Sequence, residues 1–131
     1  MRALLLMAFL FALMFKLEAK TADTLTGVWK ANIKGVQSVY QFSKDSCLSI
    51  AQGKDTLMAV YTLDTAQAWP RSIDVKVLDR NTKQVIFIQR GLYEYFGPGK
   101  LRFRLGAEDK PRPSSFLPRG NEETLALIKQ P

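Results

Sequence analysis

Past residue 24 the chain breaks into short apolar, β-branched and aromatic runs, and no long segment holds the 3.6-residue period of an amphipathic helix. Eight such runs are read as strands, over 26–34, 37–43, 46–52, 56–63, 72–78, 84–96, 100–106 and 123–129. Turn residues separate them: Gly35, Lys44-Asp45, Gly53-Lys54-Asp55, Asp79-Arg80-Asn81 and Gly97-Pro98-Gly99. Most connections are short, and short connections join antiparallel neighbours. Two are longer, 65–71 and 107–122, and the second carries Pro111, Pro113 and Pro118, which argue against regular structure there. Eight strands in an up-and-down meander suffice to close on themselves, and closure removes both free edges. The expected fold is therefore all-β, an eight-stranded antiparallel up-and-down barrel.

Alternation says which side chains face inward. Leu101, Phe103 and Leu105 oppose Arg102 and Arg104; Ile73, Val75 and Val77 oppose Asp74 and Lys76. Tyr40 and Phe42 share one face of the second strand, and Leu125 and Leu127 share one face of the eighth. The sixth strand is apolar on both faces, and Gly91 in its middle predicts a bulge that switches the facing.

The N-terminus predicts export. After Met1-Arg2, thirteen apolar residues run from Ala3 to Phe15 and stop at Lys16. That length fits the hydrophobic region of a secretory signal and falls short of the roughly 20 residues of a membrane-spanning helix. Cleavage is expected near 19 or 22, giving a signal peptide helix over 1–22 and one domain over 23–131. Removal of 1–19 takes away Arg2, Lys16 and Glu18, so the formal charge falls from +7 to +6. The positive residues are scattered along the chain, which reads as a solvated surface, and no nucleic-acid partner is expected. An exported monomer, periplasmic or extracellular, follows.

Chemistry is bounded by what is missing. The chain has no histidine, so the usual general base, the usual zinc ligand and every Ser-His or Cys-His pair are absent. The single cysteine, Cys47, forms no internal disulfide and is read either as a small buried hydrophobe, which its strand-like surroundings favour, or as a free thiol. Asp64 and Asp79 sit at strand ends as turn formers and Asp74 faces outward, so no two carboxylates share an inward face. No enzyme activity, metal or cofactor is expected.

Gly27-Val28-Trp29, at the start of the first strand, resembles the G-x-W signature of lipocalins, fatty-acid-binding proteins and avidins. The resemblance implies that Trp29 plugs the closed end and Gly27 lets the backbone pack beside it. If strand eight pairs with strand one, Lys129 lies in phase with Leu125 and Leu127 and reaches the Trp29 ring, a contact worth about 0.5–2 kcal/mol. A longer resemblance rests on Leu25-x-Gly27-x-Trp29, Tyr61-x-Leu63-Asp64, Pro70-x-x-Ile73-Asp74, Gly91-x-Tyr93-Glu94, Leu101-Arg102 and Arg112-Pro113-x-x-Phe116. In that order and spacing they are similar to an uncharacterised, lipocalin-like domain family of exported bacterial proteins, abundant in planctomycetes. Arg104, where that pattern has a small residue or cysteine, and Trp69, at a usually polar loop position, depart from it.

Two functions are carried forward. In the first, the chain is a binding protein holding a small apolar or amphipathic ligand against Trp29, Tyr40, Phe42, Ile73, Val75, Phe103 and Leu125. In the second it is an envelope protein-interaction or inhibitor module, acting through its surface and the 107–122 loop, with Arg112 and Phe116 at the rim. Within that loop, Arg112 and Phe116 read either as a lid over the open mouth or as anchors onto the barrel. A void of roughly 300 Å³ or more, lined by the named residues, distinguishes the first function from the second.

Overall fold

The computed structural model describes residues 25–33, 35–116 and 124–131. The expected signal peptide and its cleavage site lie outside the described residues. Eight strands follow in chain order: β1 (Gly27–Ile33), β2 (Val36–Phe42), β3 (Cys47–Gln52), β4 (Asp55–Leu63), β5 (Arg71–Leu78), β6 (Val85–Gly97), β7 (Lys100–Leu105) and β8 (Leu125–Lys129). Each pairs antiparallel with its neighbours in sequence, and β8 pairs with β1 to close the barrel. No helix among the described residues is long and apolar enough to cross a membrane.

Register carries the period-two pattern around the whole wall. Trp29 stands opposite Tyr40 of β2 on one side and Lys129 on the other, and Tyr40 in turn opposes Ile50, which opposes Leu57. The inward rows of β5 to β8 follow the same rule: Val75 pairs with Gln89, Tyr93 with Phe103, and Phe103 with Leu125. Trp29, Phe42, Leu48, Ile73, Val75, Phe103 and Leu127 are each no more than 1% exposed and form one continuous core. Burying an aliphatic or aromatic side chain of this size contributes about 1.5–3 kcal/mol, so a core of this extent can hold a domain without disulfides.

The sixth strand corrects one expectation. Register shifts occur at Val77/Leu78 and at Tyr95/Gly97, not at Gly91, so the facing does not switch there. Phe87, Gln89, Gly91, Tyr93 and Tyr95 all point inward. The reason for glycine is crowding. A Cβ at 91 would lie 2.3 Å from the Arg104 carbonyl oxygen and 2.8 Å from Leu105 Cδ2.

Candidate functional site

The two ends of the barrel differ. At the end where β1 begins, the Trp29 Nε1–H donates to the Leu25 carbonyl at 2.9 Å, and Lys129 Nζ lies 5.6 Å from the ring centroid. Gly27 makes room for this arrangement, because a Cβ there would sit 3.0 Å from Lys129 Cε. Tyr95 packs 6.2 Å from Trp29, and Trp69 from the β4–β5 loop meets Tyr93 and Tyr95 edge-on at 5.6 and 5.7 Å. Arg71 covers the outer side of Trp69 at 4.2 Å. This end is stoppered by aromatic rings, with a cation at each side of the stack. Trp69, a loop residue without strand periodicity, gave no sequence signal for this role.

The middle of the barrel is filled. Phe42 stacks edge-on against Tyr61 at 5.1 Å and against Phe103 at 6.2 Å. Ile73 and Val75 have no exposed surface. Trp29, Phe42, Ile73 and Val75 thus belong to the tightly buried core cluster.

At the opposite end the interior opens. A cavity of about 240 Å³ is lined by Tyr40, Ile50, Gln52, Leu57, Gln89, Phe103, Leu105 and Leu125. Three of the seven residues expected to hold a ligand, Tyr40, Phe103 and Leu125, are among them. The others come from β3, β4, β6 and β7, and the pairing of Tyr40 with Ile50 and of Ser38 with Gln52 is what brings the β3 pair inward. Burial pushes the Tyr40 phenol above its ordinary value, so its hydroxyl remains a neutral donor. Ser38, two residues earlier on the same inward face and 1% exposed, has an Oγ with no hydrogen-bond partner. A wider hollow of about 480 Å³ shares Ile50, Gln52 and Leu57 with this cavity and continues past Lys54, Asp55, Thr56 and Arg80 on the rim.

The described part of the loop after β7, up to residue 116, leaves the mouth at Leu105 and is tied to β6. Gly106 N–H donates to the Arg90 carbonyl, and Asp109 bonds Ile88 through both its backbone N–H and its side chain, at 2.8 and 3.0 Å. The chain then crosses the outer wall. Arg112 Nη1 donates to the carbonyls of Ile73 and Gly91 at 3.0 and 2.8 Å, and its Nη2 meets Asp74 Oδ1 at 2.5 Å. Phe116 lies over Arg102, whose guanidinium carbon is 5.8 Å from the ring, and its carbonyl accepts a bond from the Thr124 hydroxyl. Arg104 is outward by alternation yet 2% exposed, because this loop covers it and takes its Nη1–H at the Ser115 carbonyl, 2.6 Å away. Arg112 and Phe116 therefore stand on the outer wall rather than at the rim, since the loop's first turn is tied to β6.

Cys47 is half-buried rather than buried, next to the turn in which Ser43 bonds its backbone. Arg90, Arg102, Arg104 and Arg112 contact loop carbonyls, aromatic rings or Asp74. No protein-family model, curated protein or solved structure matches the chain.

Proposed function

We propose that the protein is a lipocalin-like binding protein that takes a small apolar or amphipathic molecule into the open end of its barrel. The observation that carries this reading is the 240 Å³ cavity lined by Tyr40, Phe103, Leu105 and Leu125, opposite an end stoppered by Trp29. At the ~30 Å³ that a water occupies in the liquid, such a space holds about eight heavy atoms. It falls short of the void of roughly 300 Å³ that would mark small-molecule binding, and only three of the seven expected residues line it, so the reading requires a ligand that is a short chain or a single ring, or that projects beyond the mouth. Tyr40, Gln52 and Gln89 supply polar groups among the apolar side chains that line the cavity, and a polar atom on the ligand would bond one of them.

Export and kinship with the lipocalin-like family of exported bacterial proteins belong to the same proposal. They rest on the apolar run at 3–15 and on the ordered pieces from Leu25-x-Gly27-x-Trp29 to Arg112-Pro113-x-x-Phe116. The alternative, an interaction or inhibitor module acting through 107–122, has less support, because Arg112 and Phe116 are engaged with the barrel's own wall.

Native mass spectrometry after gentle purification tests the reading, together with calorimetry using short apolar probes. Leu125→Trp fills the mouth while leaving the β7–β8 register intact, and it should abolish uptake. A protein that is always empty and takes up no such probe would sink the idea.

A further inference from the structure

The mouth of the barrel carries charge as well as apolar surface. The rim hollow that shares Ile50, Gln52 and Leu57 with the cavity is lined by three charged side chains, of which two, Lys54 and Arg80, are cations and one, Asp55, is an anion. Arg80 is held in place by its Nη2–H, which donates to the Thr56 carbonyl at 3.0 Å, so the guanidinium is positioned over the β3–β4 hairpin with its remaining donors available. The neighbouring Asp79 is occupied within its own turn. Its carboxylate accepts the backbone N–H groups of Asn81 and Thr82 at 2.8 and 3.0 Å, and these bonds hold its pKa below the ordinary carboxylate value. Lys54 sits at the hairpin tip, on a flexible stem, at the same rim. Between these cations and the Phe103–Leu125 wall lie Ile50, Gln52 and Leu57, common to both spaces.

We infer that the ligand is an amphipathic anion, its apolar part in the cavity and its carboxylate, sulfate or phosphate against Lys54 and Arg80. The inference rests on the cavity-binding reading above and adds the sign and place of the head group. The arrangement puts charge where it stays hydrated and apolar surface where it is removed from water, which avoids burying an ion in the barrel. Arg80 supplies a planar donor fork suited to an oxyanion, and Lys54 supplies a mobile point charge.

The test uses three probes of one chain length, octanoate, 1-octanol and octylammonium, titrated calorimetrically into the full-length protein as purified. Octanoate should bind more tightly than 1-octanol, and octylammonium most weakly. Lys54→Gln and Arg80→Gln should each weaken octanoate by about two- to fivefold, the range of an exposed ion pair, with 1-octanol unchanged. Lys54→Gln alone suffices should the loss of the Arg80–Thr56 bond disturb the hairpin, which circular dichroism reports. Equal binding of octanoate and 1-octanol, or an octanoate affinity indifferent to both substitutions, overturns the anionic head group and leaves cavity binding standing. Binding of none of the three, with the barrel intact, overturns both.

Discussion

Lys129 and Trp29 are cross-strand partners at the seam where β8 meets β1, and the lysine ammonium lies 5.6 Å from the centre of the indole ring. The contact therefore links the last strand to the first, beside the Lys30–Ile128 pair and the Gln130 N–H bond to the Val28 carbonyl. Trp29→Ala should destabilise the fold by about 3–5 kcal/mol, since it empties the stopper of the closed end. Lys129→Met keeps most of the aliphatic stem across Gly27 and should cost only about 0.5–1 kcal/mol, in keeping with a cation–π contact at an exposed residue. Urea unfolding followed by circular dichroism separates the two; equal costs would mean that the ammonium charge, not the retained stem, closes the seam.

Gly91→Ala should be among the most damaging small substitutions. The added methyl meets backbone, the Arg104 carbonyl, which cannot rotate away as a side chain can. Overpacking of this kind costs about 1–3 kcal/mol or more, and the β6–β7 pairing at Leu105 should loosen with it. Amide hydrogen exchange at Gly91 and Leu105 reads that loosening directly. An alanine variant as stable as the parent would show that the two strands can separate freely.

Arg112 ties the long loop to the wall through two carbonyls on adjacent strands and through Asp74. Arg112→Lys should not rescue the loss seen in Arg112→Ala, because one ammonium cannot reproduce the planar fork that bridges Ile73, Gly91 and Asp74. Each variant should lose about 1–2 kcal/mol, toward the lower part of the range for hydrogen bonds to charged groups because the site is partly hydrated. Proteolysis within 107–116 should accelerate well before the barrel itself unfolds.

The alkaline limb of stability should bear the mark of Tyr40 and Tyr61. Burial raises both phenols above the ordinary value of 10.0, and for Tyr61 the nearby Asp45 and Cys47 charges add to it. The unfolded chain then releases these protons at lower pH than the folded one does. Stability is thus unaffected by the pair below pH ~10 and falls as pH rises from there toward the folded values. Tyr40→Phe should flatten part of that fall while leaving stability between pH ~6 and ~9 on the same slope, as measured by denaturant midpoints across the range.

How much of the molecule is legible in its sequence divides along one line. Strand number, the breaks between strands and the inward rows of β2, β5, β7 and β8 follow from turn residues and the period of two, because a strand's facing is a local property of its backbone. The Trp29–Lys129 contact is legible as well, since closure of a sequential meander leaves the second edge of β8 no other partner than β1. Gly91 is readable as unusual but not as crowded: a bulge and a close approach leave the same letter in the sequence, and only the separation of β6 from β7 tells them apart.

Three matters were settled by tertiary structure. Arg104 alternates outward and so reads as solvated, yet the loop from 106 to 116 lies over it. Arg112 and Phe116 read as rim or anchor alike, until the bonds of Asp109 to Ile88 turn the loop onto the outer wall. The interior, too, is partitioned, with Phe42, Ile73 and Val75 packed tight below and Tyr40, Phe103 and Leu125 left around a void. Sequence alone determined the barrel's strand order and the inward faces of β2, β5, β7 and β8, because these depend on periodicity and chain connectivity; the Trp29 stopper was implied by the resemblance that Gly27-Val28-Trp29 carries. Where the long loop lies, and how much of the interior stays hollow, were decided only in three dimensions, because they depend on side-chain volumes and carbonyl partners contributed by strands distant in sequence.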